Sequence, residues 1–249
     1  MKITAVILTK NEEKNIQKCI ESLAWIDEVV IIDDYSYDNT VKIAKKNGAK
    51  IYKRELSGNF ADSRNFGLES ASNEWVLFID TDEIVSQELA LEIMKLETTD
   101  MFGYAIKRID HLWGRELKHG DVGNVWLTRL VKKNTGKWER KVHEVWKSND
   151  SSKTSKLRGV INHYPHQTIS EFVERIRSYA LLHAKVLEDQ GIRVSIWQVV
   201  LYPVGKFLYI YIIKLGLLDG TAGFVHAMMM SFHSFIARSE LLVQQNEAS

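Results

Sequence analysis

Two hydrophobic periods alternate along the first hundred residues. Ile3-Thr-Ala-Val-Ile-Leu8 is a short run rich in β-branched residues, and it gives way to polar Thr9-Lys-Asn-Glu12. Ile16, Ile20 and Leu23 then recur at helical spacing. Val29-Val-Ile-Ile32 reads as a second buried strand, ending at Asp33-Asp34. A helix is expected from about Asn39, with Gly48 placed to terminate it. Lys50-Ile-Tyr52 reads as a third strand, residues 60–71 as a helix, and Trp75-Val-Leu-Phe-Ile79 as a fourth strand ending at Asp80. Strands alternating with helices make β-α-β units, so the expectation is an α/β domain on a mainly parallel, Rossmann-like sheet. Such sheets bind ligands beyond the carboxyl ends of their strands. Three of those ends carry polar clusters: Thr9/Asn11/Glu12, Asp33/Asp34 and Asp80/Asp82/Glu83.

The pattern then loosens. Residues 101–163 interleave aromatic and basic side chains, which suggests an edge hairpin or two plus a loop. Thr168-Ile-Ser-Glu171 has capping-box spacing ahead of a long helix. From Ile196 two further helical segments flank Gly216-Leu-Leu-Asp-Gly220. The expected division is therefore a catalytic domain over 1–165 and a C-terminal helical region over 166–249.

Charge sharpens this picture. The net charge of +1 conceals a balance of −7 over residues 1–106 (12 basic, 19 acidic) and +8 over residues 107–158 (14 basic, 6 acidic). An acidic half suited to a cation is followed by a basic middle suited to an anion. No zinc spacing, helix-turn-helix pattern or aromatic-glycine RNA signature accompanies the basic stretch, so nucleic acid is not the expected partner. Cys19, the one cysteine, falls on the apolar side of the first helix and reads as packing. Met1-Lys2 leads straight into a strand pattern, and Pro203, Lys206 and Lys214 interrupt the apolar stretch Ile196–Leu218. The expectation is a cytoplasmic protein, at most peripheral on the inner face of the membrane. Lys206 and Lys214 would lie within about 80° of each other on a helix, giving a basic edge beside a wide apolar face. Membrane contact or homo-oligomerisation would give that face a purpose.

Asp80-Thr-Asp82 carries the first chemical suggestion. Two carboxylates at a strand end can share a hard divalent ion such as Mg²⁺ or Mn²⁺, which keeps coordination sites for a substrate phosphate. A surface turn is the plain alternative. Asp33-Asp34 could accept hydrogen bonds from a nucleoside, or cap the next helix. No Gly-x-Gly-x-x-Gly follows the first strand and no Walker pattern occurs, so dinucleotide and P-loop readings fail. The eight histidines form no His-Glu-x-x-His motif. A nucleotide held without glycine fingerprints, with metal on its phosphates, points to sugar-nucleotide chemistry.

Thr9-Lys-Asn-Glu12, Ile31-Ile-Asp-Asp-Tyr-Ser-Tyr-Asp-Asn-Thr40, Asn59-Phe-Ala-Asp-Ser-Arg-Asn-Phe-Gly67 and Phe78-Ile-Asp-Thr-Asp-Glu83 together resemble the ordered motifs of the family 2 inverting glycosyltransferases, which have the GT-A fold. Lys141-Val-His-Glu144 and the Phe207 to Gly220 segment resemble the branch containing bacterial lipopolysaccharide core β-glucosyltransferases. The resemblance implies that Thr9, Asn11 and Glu12 line a nucleoside pocket and that Asp34 or Asp33 contacts the base. It places Arg64 near the diphosphate and makes Asp80 and Asp82 the metal and ribose/diphosphate residues, with Asp82 the firmer ligand. Inversion needs a base beside the acceptor hydroxyl; Glu144 is the choice, with Asp121 the substitute. His143 is open between a metal or phosphate contact and a structural role, and Trp126 and Arg129 between acceptor wall and packing. The implied reaction moves a sugar, glucose by the family's precedent, from a UDP-sugar to a saccharide or glycolipid acceptor, with Mn²⁺ or Mg²⁺. Two other classes stand beside it. A sugar-phosphate nucleotidyltransferase would want a Gly-rich, Lys-containing loop near the N-terminus that this chain lacks. An inactive nucleotide- or membrane-binding adaptor would not need the acids at three strand ends.

Overall fold

Parallel strands form where short apolar runs can be buried on both faces, the helices between them supply the cover, and a short exposed strand closes the edge. In chain order these are β1 (Ile3–Thr9), α1 (Ile16–Glu21), β2 (Glu28–Asp33), α2 (Thr40–Lys46), β3 (Lys50–Lys53), α3 (Phe60–Ser70) and β4 (Trp75–Asp80). The computed structural model describes residues 1–97, 100–141, 144–166 and 168–247. β1 and β4 are buried almost throughout, which is why they read as continuous rather than alternating apolar runs. Successive side chains still go to opposite faces. Ile3, Ala5, Ile7, Leu77 and Ile79 join one core cluster, while Val6, Val76 and Phe78 join another.

Register decides where the acids go. β1 pairs with β2 so that Thr9 lies opposite Asp33, and with β4 so that Leu8 lies opposite Asp80. The acidic ends of β2 and β4 therefore flank the end of β1 on one rim.

Next come β5 (Glu83–Val85), α4 (Gln87–Met94), β6 (Gly103–Leu112), β7 (Arg115–Glu116), β8 (Val125–Lys132), β9 (Gly136–Glu139), β10 (Val145–Ser148) and β11 (Thr154–His163). The main sheet runs β3-β2-β1-β4-β8-β6-β11-β5, with β7 beside β6, and β9 and β10 form a separate antiparallel pair. β8 is antiparallel to β4 and to β6, and β5 is antiparallel to β11. The parallel half carries the α/β pattern seen in the sequence. Antiparallel strands extend it from the region expected to hold hairpins.

The Ala-x-x-Arg-Asn-x-Gly segment shows how sequence sets packing here. Ala61 is buried. Asn65 accepts from Trp138 N–H at 2.9 Å and donates to Trp138 C=O at 3.0 Å, docking α3 on β9 as a strand neighbour would. A Cβ on Gly67 would stand 2.5 Å from Val6 Cγ1, so only glycine lets the helix lie this close to β1.

The chain forms two compact units, Met1–Arg108 with Val125–His163, and Ile109–Asn124 with Tyr164–Ser249. In the second, α5 (Ile169–Asp189), α6 (Ile196–Leu208) and α7 (Gly220–Glu247) form a helical group. Thr168 caps α5 by accepting from Glu171 N–H at 3.1 Å. Phe172, Ile176, Ala180, Ala184 and Leu187 form its buried stripe. Leu112 and Leu117 pack with Phe172, Ile176 and Ala222, so the segment following β6 belongs with these helices.

Two tests follow from this packing. A Cβ on Gly159 would stand 2.3 Å from Leu89 Cα, a backbone atom that cannot yield, whereas one on Gly205 of α6 meets nothing within 4 Å. Gly159→Ala should cost about 1–3 kcal/mol in denaturant unfolding, and Gly205→Ala should be neutral or gain up to about 1 kcal/mol. Glu28 accepts from Lys50, Thr4 and Ser72. Burial pushes its carboxyl up, but these partners outweigh burial and lower it from 4.5 to about 2. A depressed carboxyl contributes stability above its unfolded pKa and loses it as pH falls toward the folded value. Glu28→Gln should therefore lower the melting temperature at neutral pH and flatten its decline between pH 4.5 and about 2.

Candidate active site

The loops after β1 and β2 are laced together. Asp34 N–H donates to Thr9 C=O at 2.9 Å, Asn11 N–H to Ser36 Oγ at 2.9 Å, Tyr37 N–H to Asn11 Oδ1 at 3.0 Å, and Glu12 N–H to Thr40 Oγ1 at 2.7 Å. Asn11 and Tyr35 hold left-handed backbone angles (φ 55° and 51°) without being glycine. Such conformations persist only where surrounding contacts over-determine them, and they cluster at ligand sites. Asp33 is fully buried and accepts Ser36 N–H with both oxygens at 3.2 Å. Asp34 accepts from Lys10 at 2.8 Å and from Leu56 N–H at 3.2 Å. Thr9 is buried, and among the described residues its hydroxyl has no hydrogen-bond partner. Tyr35 and Tyr37 stand exposed beside it.

Beyond β4 lies a buried ionic network. Asp80 accepts from Arg64 Nη2 on Oδ1 at 2.8 Å and from Arg129 Nη2 on Oδ2 at 2.6 Å. Arg129 also donates to Glu83 Oε1 at 2.9 Å, and Glu83 Oε2 accepts Asp80 N–H at 2.9 Å. Arg64 Nε reaches Glu144 Oε1 at 2.7 Å, and its guanidinium stacks on Phe78 and Trp138. Burial would raise the Asp80 carboxyl, but Arg129 and Arg64 outweigh it and hold it well below the usual carboxylate range. Burial is also the largest influence on Glu83, and despite Arg129 it leaves that carboxyl above its usual value. Among the described residues, Arg64 Nη1 and Arg129 Nε are buried donors with no partner. With the Thr9 hydroxyl they make three orphaned polar atoms near one rim, where buried groups are ordinarily paired.

Asp82 is placed differently from Asp80. His163, at the end of β11, lies opposite Glu83 in the β5 pairing, and its Nε2 stands 3.4 Å from Asp82 Oδ2. A carboxylate oxygen and an imidazole nitrogen roughly 3 Å apart have the spacing of neighbouring ligands around one divalent ion. Among the described residues no group of three or more His, Cys, Asp or Glu forms a closed metal site.

Thr9, Asn11, Glu12, Asp33, Asp34, Arg64, Asp80, Asp82 and Glu144 all lie in the first unit. Arg129, read as acceptor wall or packing, is buried and bonds Asp80 and Glu83. Trp126 lies on β8, with Lys156 Nζ 4.3 Å over its ring. Asp80, expected to share a cation with Asp82, carries a guanidinium on each oxygen. Asp121 belongs to the second unit, 2.8 Å from His226 Nε2 and 3.7 Å from Lys206 Nζ. Burial pushes its carboxyl up, but those partners bring it below the usual value. His143 lies outside the described residues. His163 went unmarked in the sequence because no local motif surrounds it. A hollow of about 740 Å³ opens elsewhere, at the amino ends of β1 and β4 beside Met1, Trp75 and Leu96. That is the opposite end of these parallel strands from the acids.

Residues 4–147 match glycosyl transferase family 2, so the chain belongs to that family. Its fold is of the GT-A type, and the protein is a nucleotide-sugar glycosyltransferase. An uncharacterized glycosyltransferase of Rickettsia prowazekii (strain Madrid E) is 30% identical, the match covering 96% of this chain and 86% of that protein. The lipopolysaccharide core biosynthesis glycosyltransferase LpsC of Rhizobium meliloti (strain 1021) is 26% identical over 96% of this chain and 91% of its own length. The structure of S. aureus TarS residues 1–349 in complex with UDP aligns over 100% of this chain and 92% of that one, with a TM-score of 0.50 and 16% identity.

The network itself makes a prediction. Arg129→Leu leaves Asp80 and Glu83 buried without their shared cation and should cost about 3–5 kcal/mol in denaturant unfolding. Asp82→Asn, which keeps the shape of a side chain placed 3.4 Å from His163, should cost less than that.

Proposed function

We propose that this chain is an inverting, metal-dependent glycosyltransferase that moves glucose from UDP-glucose to a saccharide or lipid-linked acceptor of the cell envelope, in lipopolysaccharide core synthesis. The observation that carries the metal and donor reading is the pairing of Asp82 with His163 beside an Asp80 already neutralised by two arginines. The relationship to LpsC supports the choice of pathway.

The donor set fits Mn²⁺ or Mg²⁺: one hard carboxylate, one imidazole, and room in the coordination sphere for phosphate oxygens. When bound, the cation would neutralise the charge that builds on the departing nucleoside diphosphate. Asp82 and His163 would hold it. Arg64, with Nη1 unpartnered, would meet the same diphosphate. Thr9, Asn11, Glu12 and the Asp33-Asp34 turn would seat the nucleoside, where the unpartnered Thr9 hydroxyl can bond a base or ribose. Glu144 would take the proton of the attacking hydroxyl. Arg64 Nε donates to one of its oxygens at 2.7 Å, which would hold the carboxylate beside the diphosphate contact. Asp121 is less suited, since His226 and Lys206 already engage it.

These contacts strengthen as charge develops on the leaving group, so losing them lowers turnover more than it lowers donor binding. The test is UDP release from a panel of UDP-sugars, with and without Mn²⁺ or Mg²⁺. Release should need the metal and be fastest with UDP-glucose. Asp82→Ala should stay folded and lose transfer, and His163→Ala should need about ten-fold more Mn²⁺ or above for half-maximal rate. Normal turnover by folded Asp82→Ala protein would refute the assignment.

A further inference from the structure

Within the second unit, α6 and the turns after it face solvent with a surface unlike that of a soluble helix. Val199 and Pro203 are buried, as is Ile210 in the π-helical turn Tyr209–Ile213 that continues α6. The opposite stripe, Trp197, Leu201, Val204, Leu208 and Ile212, is exposed, with Trp197 at 71% and Leu201 at 60%. Beyond it Ile213 (69%), Leu215 and Leu218 are exposed as well. Isolated surface leucines need no explanation, but a contiguous face of this kind marks an interaction site.

Charge identifies the occupant. Between Asp189 and Glu240 the formal charges are Arg193, Lys206, Lys214 and Arg238 against one acid, Asp219. Asp219 is buried and accepts both His119 N–H and the His119 ring at 2.8 Å, so it offers no negative surface. Lys206 lies 3.7 Å from Asp121, while Lys214 is exposed with its ammonium 5.5 Å from the Tyr209 ring. Arg238 stacks on Tyr202 at 3.9 Å. Cations resting on aromatic rings at the margin of an apolar face make up the side-chain set of the interface between water and lipid. A second copy of the chain would bring an identical set of cations against this one, which a self-complementary interface would have to neutralise.

We propose that this face binds the surface of an anionic phospholipid bilayer. Ile196–Ile213 is long and apolar enough, by length and composition, to cross a membrane. Its 18 residues reach only about 27 Å, however, and the stripe from Val199 to Ile210 is packed inside the unit. An orientation in the plane of the interface exposes the apolar stripe to acyl chains and leaves Lys214 and Arg238 at the headgroups. This assignment stands apart from the sugar-transfer reading, because its readout is binding and not turnover.

The experiment is flotation of the purified full-length chain with phosphatidylglycerol-containing vesicles and with pure phosphatidylcholine vesicles. The protein should float with the anionic vesicles, and raised salt should weaken binding. Lys214→Glu should lower the partition coefficient about five-fold or more. Trp197→Glu combined with Leu201→Glu should abolish flotation, with an unchanged circular dichroism spectrum. If the double variant fails to fold, Lys214→Glu carries the test alone. Absence of flotation by the wild-type chain, or equal flotation with neutral vesicles, would overturn the assignment. So would a double variant that floats normally while converting a dimer to a monomer in analytical ultracentrifugation.

Discussion

The site depends on two buried guanidiniums that have to be neutralised. Arg64 and Arg129 are nearly devoid of solvent, and a charge taken out of water is tolerated only with excellent pairing. Asp80 supplies half of that pairing, one oxygen to each arginine, while Glu83 and Glu144 accept one bond each. The network ties α3, the end of β4, the start of β5, β8 and the residue preceding β10 to one point. It fixes the turn between β4 and β5 that carries Asp82. Within the Asp-x-Asp motif the first carboxylate holds the scaffold, and the second lies 3.4 Å from His163.

That division explains how much of the site could be read from the sequence. The parallel half was legible because each strand is a local apolar run and each helix a local period. Three of the four motifs fall at the strand ends that the register places on one rim, and the Asn59–Gly67 motif lies on α3. The capping of α5 by Thr168 was equally local. Arg129 was ambiguous, since its partners come from β4 and β5 and nothing around it in sequence betrays them. His163 was invisible for the same reason: only the antiparallel pairing of β11 with β5 brings it to Asp82. Roles created by non-local strand pairing leave no periodic trace.

The second unit shows the opposite case. Its apolar and basic character was plain in the composition of Ile196–Leu218, and the structure adds which residues face inward. Val199, Pro203 and Ile210 face inward and Phe207 and Tyr211 pack on Phe224, while Trp197, Leu201, Val204 and Ile213 stay exposed. An enzyme whose acceptor is built on a lipid gains from such a face, because confinement to the bilayer surface raises the effective concentration of acceptor.

The central claim is that a cation-bound diphosphate engages Asp82 and His163 while Asp80 stays between its two arginines. Anomalous diffraction from crystals grown with UDP and Mn²⁺ tests it most directly. The account predicts one manganese peak at about 2.1 Å from both an Asp82 oxygen and a His163 nitrogen, with the Arg64–Asp80–Arg129 contacts unbroken. A peak bound to Asp80 in place of its arginines, or UDP and Mn²⁺ lodged away from this rim, would contradict it.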